Sequence, residues 1–218
     1  MIIPVKRAVR GKTRLRGAVP GTPHEALARA LALDTVTAVV GCPAVGRVLV
    51  VTDDEELRAA LPAGVLVAAD PATVAGRDGL NAAIRHGQAV LAGMRPAPQP
   101  RGRLPWPIAA LTADLPALRP AELAAALAAA RSRHRCHVPD AAGTGTTLLA
   151  SAGELEPAFG PGSAAAHARS GAVALAGEWP SLRQDVDTPA DLRAAVALGL
   201  GRHTRAAIGR RHAGQVSP

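Results

Sequence analysis

Apolar positions follow two periods along this chain. Short aliphatic runs at residues 1–5, 47–52 (RVLVVT), 64–68 and 107–112 have the length and β-branched content of buried strands. Longer stretches with helical spacing separate them. Over 23–40, Leu27, Leu31, Asp34 and Ala38 share one face, and Thr22 is the predicted N-cap with Pro23 in the first turn. Asp53, Asp54, Glu55 and Glu56 open a second helix, where acids suit the dipole. Further helices are predicted over 80–92 and over the Ala-rich 120–131. Then come strands at 135–138, 148–151 and 172–175, a short helix over 163–169 and a last helix over 188–198. The start Thr188-Pro189-Ala190-Asp191 supplies that last helix with a cap, a proline at the first position and an acid at the third. Residues 94–105 are rich in Pro and Arg without periodicity, which reads as a surface excursion. From Gly199 onward the chain is basic and unperiodic, which predicts a domain over 1–199 and a disordered tail over 200–218. Strands alternating with helices predict an α/β/α sandwich on a mostly parallel sheet, with ligands at the carboxyl ends of the strands.

Composition narrows the picture. A chain of 218 residues suits one substantial domain. Its core must come from Ala, Val and Leu, since there are one Phe, two Trp and no Tyr. So few aromatics argue against base-stacking platforms for single-stranded nucleic acid. The net charge of +8 is concentrated at the ends. Residues 1–17 carry six Lys or Arg and residues 201–218 carry four, with no acid in either, leaving 15 bases against 17 acids between them. That distribution is a basic loop plus a tail, not a nucleic-acid stripe. Cys42 and Cys136 are too few for a disulfide framework or a zinc site and read as buried thiols in a reducing compartment. No apolar run reaches the ~20 residues of a membrane span, and the order of the N-terminus, apolar then basic, reverses that of a secretory signal. The expectation is a cytoplasmic protein with neither nucleic acid nor membrane as partner.

Candidate chemistry lies where strands end. The basic loop after the first strand holds Lys6, Arg10, Lys12 and Arg14, cations suited to a triphosphate and to the charge on leaving pyrophosphate. It lacks GxxxxGK(S/T) and GxGxxG, so it is neither a Walker loop nor a dinucleotide fingerprint. Asp114 follows an apolar strand, where a carboxylate needs a partner or a metal. Pro116 and Pro120 put the next helix start too late for Asp114 to be its cap. Asp185 and Asp187, two apart in an extended stretch, point the same way. Asp187 adjoins the cap at Thr188, which gives it a structural alternative. Two carboxylates with phosphate oxygens and water suit magnesium. Gly79 and Asn81 open a helix where backbone amides can meet a phosphate or base and Asn81 can read a base edge, although an ordinary capped helix explains them too. The turns GTGTT (143–147) and FGPGS (159–163) offer amides and hydroxyls to a second anion, or are plain turns. His167, in the short helix after Ser163, can face an acidic substrate.

In order, the stretches IPVKRAVRGKTRL (3–15), VVTDD (50–54), GLNAA (79–83), LTADLPAL (111–118), GTGTTLLA (143–150), FGPGSAAAH (159–167) and DVDTPADL (185–192) resemble the 2-phospholactate / phosphoenolpyruvate guanylyltransferase family of deazaflavin coenzyme F-420 biosynthesis. One departure is Gly76-Arg77-Asp78, where such proteins often carry more glycine. The resemblance implies a nucleotide-diphospho-sugar transferase-like, Rossmann-like fold with a mixed central sheet. It implies GTP, Mg²⁺, and phosphoenolpyruvate or 2-phospho-L-lactate as acceptor, phosphoenolpyruvate being favoured. It implies hand-off of an unstable product to a downstream transferase. On this basis Asp114 and Asp185, with Asp187 beside them, take metal roles. Lys6, Lys12, Arg14, Gly79 and Asn81 face the nucleotide, and Thr146, Gly160 and Ser163 face the acceptor. Another nucleotidyltransferase of this fold, of the molybdopterin guanylyl- or cytidylyltransferase type, would carry a GGxSxRMG-like opening loop, which the chain lacks. A non-catalytic nucleotide-binding regulator is the other alternative, and the acids at 114 and 185 speak against it.

Overall fold

Successive residues of the central strands go to opposite faces, and this alternation divides the core into two layers. Ile3, Val50, Ala109, Leu111 and Leu148 pack on one side of the sheet, with Val36, Val39, Leu123 and Leu182. Ile2, Leu49, Val51, Ala110 and Leu149 pack on the other, with Ala83, Ile84 and Phe159. The computed structural model describes residues 1–7, 13–71, 78–94 and 108–209. Within them run β1 (Ile2–Pro4), α1 (His24–Val40), β2 (Leu49–Val51), α2 (Glu55–Ala60), β3 (Leu66–Ala68), α3 (Asp78–Gly93), β4 (Ile108–Leu111) and α4 (Pro120–Ala130). They continue with β5 (Arg135–Pro139), β6 (Thr146–Ser151), α5 (Ser163–Arg169), β7 (Val173–Ala174), α6 (Pro180–Arg183), α7 (Pro189–Leu198) and α8 (Arg202–Gly209).

The sheet order is β3-β2-β1-β4-β6-β5-β7. The ladders β3–β2, β2–β1, β1–β4 and β5–β7 are parallel, whereas β6 runs antiparallel to both β4 and β5. This is the mostly parallel mixed sheet that was expected. From β1 the chain builds outward to β2 and β3 on one side and later places β4 on the other. The strand order therefore reverses between β1 and β4, where an open α/β sheet forms its ligand crevice. Helix α3 covers the second core layer at close range. A Cβ added at Gly87 would stand 2.8 Å from Cγ2 of Ile2. No helix among the described residues is long and apolar enough to cross a membrane.

Two expectations at the chain ends change. Thr22 does not cap α1. Pro23 occupies the cap position without a side-chain bond, and the Thr22 hydroxyl donates to the Ala207 carbonyl at 2.8 Å. The stretch predicted as a disordered tail from Gly199 contains helix α8. Its cap comes from far away in sequence. The Asp34 carboxylate, 5 % exposed, accepts the His203 and Thr204 N–H groups at 2.9 and 2.8 Å. Leu200 and Ala207 join Leu27, Leu31, Val186 and Leu192 in a third apolar cluster. A side chain at Gly201 would collide with Asp34, 2.3 Å from an added Cβ. Residues 210–218 of the predicted tail lie outside the described residues.

Asp34→Ala should therefore lower stability by about 2 kcal/mol or more, the cost of leaving buried donors without an acceptor. Truncation after Gly199 should lower the melting temperature as well. Thermal melts that match the intact chain in both cases would show α8 to be dispensable to the fold.

Candidate functional site

The carboxyl ends of β1 and β4 open into a cleft of about 750 Å³. Lys6, two residues beyond β1, and Arg14, in the 3₁₀ turn Thr13–Leu15, line it. Asp114, Asp185 and Asp187 line it too, as do Thr146, Gly160 and Ser163. The cleft thus gathers eight of the eleven residues singled out from the sequence.

Backbone bonds fix the acidic floor. The Thr112 N–H donates to the Thr147 carbonyl at 2.9 Å, and the Leu115 N–H to the Thr35 hydroxyl at 2.9 Å. Between them, the Asp114 carbonyl accepts the Val186 N–H at 3.0 Å. That bond brings the two acidic segments side by side. Val186 is fully buried, so its neighbours Asp185 and Asp187 both turn to the cleft. The expected two-residue alternation accounts for this. Behind them α7 starts with a capping box in which Thr188 and Asp191 exchange bonds. The Asp191 carboxylate also accepts the Asp187 N–H at 3.1 Å. Asp191 and Thr188, not Asp187, do the capping.

The opposite wall is built by two turns. Asp140 accepts the Thr144 and Gly145 N–H groups at 2.9 and 2.8 Å, which holds the GTGTT turn. The Ala164 N–H donates to the Thr144 carbonyl at 3.1 Å, and the Ser163 N–H to the Gly160 carbonyl at 3.1 Å. These amides are already engaged. What the wall presents is the hydroxyls of Thr146 and Ser163 and the backbone at Gly160, whose φ of 138° suits glycine.

Three expected nucleotide residues do not join this group. Asn81 was to read a base edge. Instead its amide is committed to the backbone of Phe159, donating at 3.1 Å and accepting at 2.8 Å. It pins the turn that carries Gly160 and Ser163 to α3. Gly79 is buried in the first turn of α3 and does not line the cleft, although Leu80 does. Lys12, with Arg10, lies outside the described residues. His167 does not face a substrate either. Its ring is fully buried, Nε2 accepts the Ala158 N–H at 2.9 Å, and Nδ1 stands 2.9 Å from the Thr146 hydroxyl.

The structure adds Arg29, Asp54 and Asp140 to the cleft lining. Arg29 Nε pairs with Asp54 at 2.9 Å and its Nη1 with Glu56 at 2.6 Å, while Asp54 caps α2. Asp140 has a legible signal, an Asp ahead of a Gly-rich turn that forms an Asx bond. The Arg29 pairing joins α1 to α2 and has no local signature. Among the described residues no group of three or more His, Cys, Asp or Glu is placed to hold a metal ion unaided.

No family model matches the chain. Curated relatives do. The phosphoenolpyruvate guanylyltransferase of Salinispora arenicola is 56 % identical over 94 % of this chain and 90 % of its own length. That of Geodermatophilus obscurus is 51 % identical over 96 % and 93 %, and that of Streptomyces coelicolor 51 % identical over 96 % and 95 %. Among solved structures, a candidate nucleotide-diphospho-sugar transferase of Desulfovibrio desulfuricans G20 superposes with a TM-score of 0.58 at 16 % identity, over 90 % of this chain and 94 % of that one. The Rv0371c protein of Mycobacterium tuberculosis in complex with manganese gives 0.50 at 20 % identity, over 90 % and 97 %. These likenesses establish the nucleotide-diphospho-sugar transferase fold.

The buried imidazole has a measurable consequence. Burial above all, then the neighbouring His137 and Arg135, pushes the His167 pKa from 6.5 down to about 4. Between those values the unfolded chain binds a proton that the folded chain does not. The contribution to stability is complete above the unfolded pKa and is lost as pH falls toward 4, roughly 3 kcal/mol in all. Urea unfolding at pH 7.5 and 4.5 should show this loss, and His167→Gln should reduce it. Identical pH slopes in the two proteins would contradict a neutral buried ring.

Proposed function

The chain belongs to the phosphoenolpyruvate guanylyltransferase family, and from that premise we propose that it joins the guanylyl group of GTP to phosphoenolpyruvate and releases pyrophosphate. The observation that carries the proposal is the content of one cleft. Cations at the end of β1 face carboxylates at the ends of two further segments, and a wall of hydroxyls completes the enclosure. In this reading an acceptor phosphate oxygen attacks the α-phosphorus of GTP. A new P–O bond forms there, the bond to the bridging oxygen of the β-phosphate breaks, and pyrophosphate leaves with the electron pair. The attacking phosphate is ionised at neutral pH, so the site needs no strong base. Its work is alignment and charge neutralisation.

Lys6 and Arg14 face the β- and γ-phosphates in this proposal, and Lys12 joins them from the same basic loop. Asp114 and Asp185, with Asp187 at hand, are hard oxygen donors on neighbouring segments, and that donor set fits Mg²⁺. With two carboxylates, phosphate oxygens and water would complete the coordination. When bound, the ion supplies charge neutralisation and phosphate orientation. Thr146, Gly160 and Ser163 hold the acceptor's anionic groups. The motif resemblance supports placing the reaction in coenzyme F-420 biosynthesis, with 2-phospho-L-lactate as a second acceptor to test and the product passed to a downstream transferase. A cytoplasmic setting suits the nucleotide substrate and the two free, buried cysteines.

Pyrophosphate release should require GTP together with phosphoenolpyruvate and be negligible with ATP or CTP. Release with another nucleotide alone would redirect the assignment. Asp114→Asn and Asp185→Asn should each lower turnover by roughly a hundredfold, the scale of losing one strong electrostatic group, while melting like the wild type. Near-normal turnover in both would remove the metal assignment. Ser163→Ala should weaken phosphoenolpyruvate binding by about tenfold or more and leave GTP binding unchanged. The opposite pattern would mean the two halves of the cleft are exchanged.

A further inference from the structure

The Thr146 hydroxyl has one partner among the described residues, the His167 ring. Because the Ala158 N–H points at Nε2 of His167, that nitrogen must carry the lone pair. A neutral imidazole has a single N–H, which therefore sits on Nδ1. The 2.9 Å contact between Nδ1 and the Thr146 hydroxyl is then a bond in which histidine donates and threonine accepts. Thr146 cannot return its own proton to that ring. Among the described residues no other group bonds to the Thr146 side chain, which is 4 % exposed and lines the cleft.

We infer that His167 is a positioning residue that occupies one lone pair of the Thr146 hydroxyl and leaves its proton for the acceptor side of the cleft. The inference rests on the proposed guanylyl transfer for the identity of the acceptor. Its consequence is a subsite that favours accepting oxygens. An oxygen that only accepts, as in a carboxylate or phosphate, meets a proton held in place. A ligand presenting its own donor there finds only the one lone pair that His167 leaves open. The bond received from His167 also polarises the hydroxyl, which strengthens its donation. The surroundings hold the ring in this orientation. Phe159 packs edge-on at 5.1 Å, and His137 lies 5.8 Å away on β5. Arg135 is occupied by Glu156 and Ser170. A proton arriving at Nε2 would face the Ala158 N–H.

Two substitutions separate orientation from packing. Asn at position 167 can place an amide N–H near the lost Nδ1, whereas Gln can reach Ala158 but leaves Thr146 without its donor. His167→Gln should raise the KM for phosphoenolpyruvate by up to about tenfold, the scale of one Thr146 bond to an anion left undirected, with the KM for GTP unchanged. His167→Asn should stay within about threefold of wild type. In a Thr146→Val background His167→Gln should add nothing. The wild-type ring decides the matter independently of turnover. Long-range ¹⁵N–¹H spectra between pH 5.5 and 8 should show the Nδ1–H form throughout. An Nε2–H ring, equal rises in both KM values, or multiplying effects of Thr146→Val and His167→Gln would each overturn the inference. Wild-type protein that makes no pyrophosphate from GTP and phosphoenolpyruvate would instead count against the proposed reaction, with the ring spectrum still deciding the direction of the hydroxyl.

Discussion

One backbone hydrogen bond, from the Val186 N–H to the Asp114 carbonyl, sets the electrostatic character of the cleft. It holds together two acidic segments from distant parts of the chain against their mutual repulsion. With it, Asp114, Asp185 and Asp187 share one surface. The bond is held from behind by apolar burial. Val186 belongs to the cluster that contains Leu27, Leu31, Leu192 and Ala207, and Leu115 is fully buried in the core layer between the sheet and α1. The charge cluster is therefore sustained by hydrophobic packing one residue away on either side. Such an arrangement suits a polyanion neutralised by cations, because the carboxylates are placed before any ligand arrives.

The same cluster explains why α8 belongs to the working domain. Its Asp34 cap and the Thr22 bond hold it against α1, and α1 contributes Arg29, Leu31 and Ala32 to the cleft wall. The Gly201 N–H donates to the Pro116 carbonyl at 2.7 Å, two residues after Asp114. What began as a basic tail in the sequence thus steadies the loop that carries a candidate metal ligand. Removing it would loosen the floor of the cleft as well as the far side of the domain.

The sequence revealed what depends on local pattern. Strand ends, the alternation around Val186 and the capping box at Thr188 all follow from short-range chemistry. The structure bears out their consequences for the fold and for where the acids point. Asn81 is ambiguous in sequence because a polar residue at a helix start has the same appearance whether it faces a ligand or a backbone turn. Only the approach of Phe159, which no spacing encodes, decides between them. Helix α8 is not legible in the sequence for a related reason. Its cap is an aspartate in α1, so its own first residues carry no N-cap signature. His167 was placed on the correct short helix but facing the wrong way. Leu155 and Phe159, both buried with Ala172, draw that wall inward, and the ring follows.

Turning His167 inward also fits the chemistry of the cleft. A histidine facing two phosphorylated ligands would titrate near neutrality, and its charge would vary with the negative charge beside it. Burial behind Thr146 removes that variation while keeping the one property of the ring that the wall can use, a directed N–H. The aliphatic composition of the chain serves the same end. With a single Phe and no Tyr, the wall has few large side chains with which to shape an anion site, so it relies on small turns, hydroxyls and backbone. Small polar groups hold a direction poorly unless something fixes their protons. In the proposed reading that constraint falls on fixed charges on the nucleotide side, and on the acceptor side on a neutral ring that can donate from only one nitrogen.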